Sequence, residues 1–238
     1  MKLRCDLHSH SNYSRDSLIS PEAYIAGCVR KGITCAAVTD HNEIAGAFAI
    51  RDLAARREAP LKIIVGEEVK TAEGEIIGLF LKELVPRGMS PEDTVRAIHE
   101  QGAIVTIPHP YDVFRRSVIR RDALERIVDS VDAVEGFNCR NILARHDERA
   151  QAIARRAGKP LTAGTDAHSP VELGGVYVEM NEFDTPAEFL TALDTGTIVG
   201  KRSLPLVHWL STFAKVRWRL GLRPSYAVPP QATSRRAR

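Results

Sequence analysis

The feature that most limits the folds open to this chain is the regular return of His, Asp or Glu at the end of one strand-like segment after another. Residues 3–7 read as a strand and run into Asp6-Leu7-His8-Ser9-His10. Residues 34–39 end at Asp40-His41, and residues 61–69 carry Gly66-Glu67-Glu68. Residues 103–107 run into Pro108-His109-Pro110, and residues 160–163 are followed by Asp166-Ala167-His168. Further strand-like segments lie at 75–81, 133–137 and 175–180, and helix-like segments at 21–31, 45–57, 90–101, 121–130, 141–157 and 186–193. Ser90-Pro91-Glu92-Asp93 illustrates the local chemistry: a capping serine, proline at the first helical position, and acids in the first turn. Strands alternating with helices predict a parallel sheet with helices outside. About seven such units predict a closed or nearly closed α/β barrel. There the C-terminal strand ends converge on one face, so the five polar motifs are expected to meet.

Composition narrows the setting. A hydrophobic fraction of 44% suits a globular core, and 238 residues suffice for one large domain or two small ones. No linker or repeat breaks the first 200 residues. Met1 leads almost directly into the first motif, leaving no room for an apolar export segment, and no apolar run reaches the ~18 residues that span a bilayer. Cys5, Cys28, Cys35 and Cys139 are scattered, form no C-x-x-C pair, and read as reduced, buried thiols of a cytoplasmic protein. The net charge of +3 hides an asymmetry: residues 201–238 hold nine Lys or Arg and no acid, leaving the first 200 residues at −6.

Residues two apart in an extended stretch point to the same side, so His8 and His10 can reach one ion, and Asp166 and His168 neighbouring ones. Imidazole with carboxylate suits zinc, manganese or iron, whereas Mg²⁺ prefers oxygen alone. A carboxylate such as Glu68 can bridge two ions about 3.5–4 Å apart. Each motif alone has a plain structural reading as a helix cap, a salt-bridge partner or a hydrogen-bonded histidine. Five in register with five strands point to a metal centre. His99, His146 and His208 read as structural or solvated.

Together, Asp6-Leu7-His8-Ser9-His10-Ser11, Thr39-Asp40-His41, Gly66-Glu67-Glu68, Pro108-His109-Pro110 and Gly164-Thr165-Asp166-Ala167-His168 resemble the polymerase and histidinol phosphatase (PHP) family of metal-dependent phosphoesterases, over residues 1–200. Val134-Glu135-Gly136-Phe137-Asn138 is similar to the segment before the last motif in small stand-alone members. The resemblance implies a distorted (β/α)7 barrel with its metal site at the C-terminal strand ends. It implies two to three divalent ions (Mn, Zn or Fe): His8, His10, Glu68 and Asp166 on the first, Glu68 and His109 on the second, Asp16, His41 and His168 on the third. The family's G-x-E pattern selects Glu68 over Glu67. One departure is implied: many members carry a His before the strand that follows the bridging Glu, where this chain has Glu75, a candidate replacement ligand.

On this reading water bound to metal, its pKa lowered from ~15.7 to about 7, attacks a phosphate ester of a small metabolite or nucleotide. Asp40 and Asp6 are expected to orient ligating imidazoles from behind. Arg140 is a candidate to meet the phosphate, with Arg15 and Arg116 also near motif loops. Rival functions are a 5′ exonuclease on short oligonucleotides, an amide or ester hydrolase, and a non-catalytic metal-binding module. In the tail, Trp209, Phe213, Val216 and Leu220 recur at helical spacing beside Lys215, Arg219 and Arg223. A basic amphipathic helix over 201–223 is expected, either docked on the barrel through that stripe or meeting nucleic acid or an anionic membrane. Residues 224–238 read as disordered.

Overall fold

The computed structural model describes residues 2–203 and 207–220, with side chains at 207–211 excepted. Among these residues nine strands form one sheet: β1 (Lys2–Ser9), β2 (Cys35–Val38), β3 (Lys62–Thr71), β4 (Gly74–Leu79), β5 (Ile104–Ile107), β6 (Ala133–Asn138), β7 (Leu161–Gly164), β8 (Val176–Asn181) and β9 (Thr197–Gly200). The helices are α1 (Pro21–Arg30), α2 (Ala45–Arg56), α3 (Pro91–Glu100), α4 (Arg121–Ile127), α5 (Ala144–Ala157), α6 (Pro186–Asp194) and α7 (Val207–Arg219). None is long and apolar enough to cross a membrane.

The sheet order is β7-β6-β5-β4-β3-β2-β1-β8-β9. Its far end returns to its start just past β7, where the Asp166 amide donates to the His8 carbonyl (2.7 Å) and the His10 amide to the Ala167 carbonyl (3.0 Å). β1 therefore has two neighbours on one side: its first half pairs antiparallel with β8, its second half meets the continuation of β7. The result is the expected distorted, nearly closed barrel. Closure depends on a glycine: a Cβ on Gly164 would stand 2.2 Å from the His8 Cβ. β1–β2, β2–β3, β5–β6 and β6–β7 are parallel. β4 is antiparallel to both β3 and β5. A two-residue turn, Ala72-Glu73, returns β3 directly into β4, leaving no room for the crossover helix that parallel strands require.

Two apolar clusters hold the layers. One lies between sheet and helices, with Ala36, Val38, Val105 and Val134 against Tyr24, Ile50, Ile98 and Ile153. The other fills the barrel with small and medium side chains, among them Cys5, Leu7, Cys35, Ala37, Ile64, Ile77 and Ala163. Phe80, Phe183 and Phe189 plug the end of the barrel to which β4 runs. All four cysteines are free and buried.

The expected cap at Ser90 forms, accepting from the Asp93 amide; Ser20 caps α1 in the same way, accepting from the Ala23 amide, and Gly158 closes α5 at φ 64°. Three differences have local causes. α5 starts at Ala144 rather than 141, because Asn141 turns back to Asp147 (2.6 Å) and holds a loop. A strand, β9, forms at Thr197–Gly200, where the sequence reading places none. In α7 the apolar stripe faces out: Phe213, Val216 and Leu220 are exposed, and the helix buries Ala214 instead. Leu206, Arg223 and residues 224–238 lie outside the described residues, as do the side chains of His208, Trp209 and Leu210.

Candidate metal centre

The first strand delivers two ligands through an irregularity. Leu7 packs inside the barrel, while Ser9 bonds the Tyr24 hydroxyl in the helix layer. Strict alternation would put both on one side; the register shift between Asp6 and Ser9 resolves this and turns His8 and His10 together toward the top of the barrel. β2, β3 and β5 bring His41, Glu68 and His109 to the same face, and the segment after β7 brings Asp166 and His168. Glu75 joins them because β4 is reversed, so that its beginning, not its end, reaches this face. His109 and Asp166 have left-handed backbones (φ 32° and 52°), a conformation that costs a non-glycine residue about 1–3 kcal/mol and survives only where the surroundings dictate it.

The side chains converge tightly. The Nε2 atoms of His8 and His10 are 3.2 Å apart. Each stands 3.5 Å from Glu68 Oε2, and they lie 3.8 and 3.3 Å from Asp166 Oδ1. Glu68 Oε1 is 3.1 Å from His109 Nε2, and its Oε2 is 3.0 Å from His41 Nδ1. Asp16 spans His41 Nε2 (3.5 Å) and His168 Nε2 (3.6 Å). Glu75 Oε1 is 3.9 Å from His41 Nδ1. Ligand atoms thus gather into four overlapping groups, His8/His10/Asp166, His8/Glu68/His109, His10/His41/His168 and His41/Glu68/Glu75.

The electrostatics call for a cation. Burial opposes the charged forms of Glu68, Asp16 and Asp166, yet the surrounding imidazoles, and for Asp166 first the Arg115 guanidinium, hold all three well below the usual carboxylate range. Burial likewise opposes a charged His8 and His41, but their carboxylate neighbours raise both. His10 is driven the other way, to about 3, by burial and by His168 and His41, so its ring is neutral with a lone pair to give. Burial, then Glu68, raises Glu75. Asp166 Oδ1 and Asp16 Oδ1 are buried without a hydrogen bond. Orphaned carboxylate oxygens beside imidazole nitrogens fit divalent transition metals, and the donor set is the mixed N/O kind that zinc, manganese and iron accept.

Other expected roles are redistributed. Asp40 does not touch an imidazole: it accepts from the Ser11 amide (2.7 Å) and the Ser14 hydroxyl (2.8 Å), because those donors fill the space behind β2. Asp6 likewise holds the Thr165 amide and hydroxyl (3.0 and 2.6 Å), tying β1 to β7. The carboxylate that reaches an imidazole from behind is Glu135 of β6. Its Oε1 lies 3.0 Å from His8 Nδ1, and its Oε2 accepts from the His109 amide (2.7 Å) and the Asn138 side chain (3.0 Å). Its motif was visible in the sequence, but its role was not. Arg140 is buried with Nη1 2.8 Å from His168 Nδ1 and Nε 3.2 Å from Glu172. Arg15 and Arg116 are exposed; Arg115 instead pairs with Asp166 and donates to Asp112 (2.8 Å). His146 is buried in α5, 3.6 Å from Asp112, and His99 pairs with Asp132 (2.9 Å).

Glu67 points away from this face, accepting from the Val85 amide (2.9 Å). Burial pushes it up to about 8 from an ordinary 4.5. The folded protein therefore holds a proton that the unfolded chain releases between those values. Its contribution to stability is fully present below pH 4.5 and is lost as pH rises through 8. Glu67→Gln is expected to raise the melting temperature at pH 9 by a few degrees and to change it little at pH 4.5. Thermal melts across that range check this, and an unaltered pH slope would exclude a protonated Glu67.

Residues 6–163 match the PHP domain family model. The chain belongs to the PHP family. Residues 144–198 match the PHP-associated model. Two uncharacterized relatives come from Methanocaldococcus jannaschii. One is 40% identical over 147 residues, covering 57% of this chain and 82% of the relative. The other is 31% identical over 233 residues, covering 92% and 90%. Two solved structures share this fold. A two-domain protein from Bacteroides vulgatus, containing a predicted PHP-like metal-dependent phosphoesterase, superposes at a TM-score of 0.68 with 18% identity. The match covers 84% of this chain and 65% of that one. An amidohydrolase from Chromobacterium violaceum, with bound sulfate and no metal, superposes at 0.58 with 19% identity, covering 82% and 97%.

Proposed function

We propose that this PHP protein is a metal-dependent phosphoesterase acting on a phosphate ester of a small metabolite or nucleotide. The observation that carries the reading is the set of overlapping ligand groups sharing Glu68, His8 and His10, which suits two or three ions a few ångströms apart. His8, His10, Glu68 and Asp166 would hold one ion; Glu68 and His109, with Glu75 nearby, a second; Asp16, His41 and His168 a third. Bound there, divalent ions supply an activated water at neutral pH and neutralise charge on phosphoryl oxygens. The chain's own part is positioning. Glu135 accepts from His8 Nδ1–H and so leaves Nε2 free as a donor atom. Arg115 and Arg140, each paired with a carboxylate beside the ligand groups, add positive charge that favours an anionic substrate nearby. The sulfate bound by the similarly folded Chromobacterium violaceum protein fits such a preference. Four free, buried thiols support a reducing, cytoplasmic setting.

The test joins metal content to turnover. Protein reconstituted with Mn²⁺ or Zn²⁺ is expected to carry about two to three equivalents by elemental analysis. It is expected to release phosphate from members of a panel of phosphomonoesters, nucleotides and short RNAs, and to lose both properties on chelation. Protein that holds no metal after reconstitution would overturn the reading. Hydrolysis of amides or esters without any phosphoester turnover would replace it with the rival one.

A further inference from the structure

The helix α7 approaches the metal centre with one face. Ala214 is buried and Trp218, one turn on, is half-buried. On the adjoining side the Lys215 ammonium lies 3.4 Å from Asp16 Oδ2, the oxygen that also faces His41. α7 thus carries a cation to the edge of the His41/His168/Asp16 group, from a segment outside both family-matched regions, which end at residues 163 and 198.

An ammonium has three donors and no lone pair, so it cannot ligate a metal and repels one. Placed beside a ligand oxygen, it is of no help to metal binding alone. It is useful to an anion that comes to the metals. Arg115 is engaged by Asp112 and Asp166, and Arg140 by Glu172. The Lys215 side chain is 57% exposed and can be reached by a solute. Four carboxylates converge here (Asp16, Glu68, Glu75 and Asp166), so a cation at the rim also offsets the repulsion a phosphate meets on entry.

We propose that Lys215 is a substrate-binding residue: its ammonium hydrogen-bonds the phosphoryl oxygens of a bound phosphoester, making α7 one wall of the site. The inference rests on the phosphoesterase reading. Lys215→Met keeps the aliphatic stem and removes the charge; Lys215→Arg keeps the charge. On the full, Mn²⁺-loaded chain, calorimetry with inorganic phosphate is expected to give about tenfold weaker binding for Lys215→Met, and binding within about threefold of wild type for Lys215→Arg. In turnover, Lys215→Met is expected to raise KM with a smaller change in kcat. Metal content and melting temperature should match wild type. Phosphate binding by Lys215→Met equal to that of an active wild type would overturn the inference and leave the phosphoesterase reading standing. Loss of metal together with phosphate would also overturn it, assigning Lys215 to the support of Asp16. A metal-loaded wild type that neither binds phosphate nor cleaves any phosphoester would remove the reading and the inference with it.

Discussion

Glu68→Gln is expected to lower kcat/KM by on the order of a thousandfold and to reduce bound metal to one equivalent or fewer. The size follows from how much converges on one carboxylate. Its two oxygens face His8, His10, His41 and His109, side chains from three different segments, all within 3.5 Å. Glutamine has nearly the same shape, so the barrel should still fold. One oxygen becomes an NH₂ aimed at ring nitrogens that would otherwise donate to a cation, and the bridging negative charge is lost. On the proposed reading, each ion that Glu68 would share is then short of one ligand and one charge. Elemental analysis and steady-state kinetics on the same preparation measure both effects. Glu67→Gln is the natural control, since Glu67 bonds the Val85 amide and faces away. A Glu68→Gln protein that keeps two or more ions and near-normal turnover would exclude Glu68 as a bridge.

The barrel and the gathering of ligands were legible because they depend on periodicity. Strand and helix alternate, and a strand end is where a polar residue can leave the sheet, so His8, His41, Glu68, His109 and Asp166 announce one face. What the sequence hid depends on direction and on partners. Residues 75–81 read as a strand either way up. Only the shortness of Ala72-Glu73 betrays that β4 runs backward, and with it that Glu75 belongs to the metal face. Asp40 and Glu135 are both buried acids near histidines. Which one reaches a ring is decided by Ser11 and Ser14, whose donors capture Asp40, and by the bulge in β1 that swings His8 toward β6. Arg115 and Arg116 are adjacent in a loop, and spacing cannot choose between them. In α7 the helical period was clear, but a stripe of apolar residues has no sign telling it to face the barrel. The face turned inward is the one that carries Ala214, with Lys215 beside it near Asp16.

Glu135→Gln carries the second large expected effect, a loss of about 10–100-fold in metal affinity with a parallel fall in turnover. Glu135 touches no substrate position in this arrangement; it acts through His8. An ionised carboxylate only accepts hydrogen bonds. Facing His8 Nδ1 at 3.0 Å, it requires the proton to sit there, which leaves Nε2 as a lone pair pointing at His10, Glu68 and Asp166. Its other oxygen holds the His109 amide and the Asn138 side chain, so one carboxylate fixes a tautomer and the backbone of a second ligand. Glutamine has a single acceptor oxygen. If it faces Nδ1, its NH₂ meets the His109 amide, donor against donor. If it turns over, its NH₂ donates to Nδ1, forces the proton onto Nε2 and blocks the ligand atom. Either way one demand fails, which is why an almost isosteric change is expected to matter. Chelator competition measures the metal affinity and steady-state kinetics the turnover, while circular dichroism checks that the fold is retained. A folded Glu135→Gln protein with wild-type resistance to chelator would show that His8 holds its tautomer without this carboxylate.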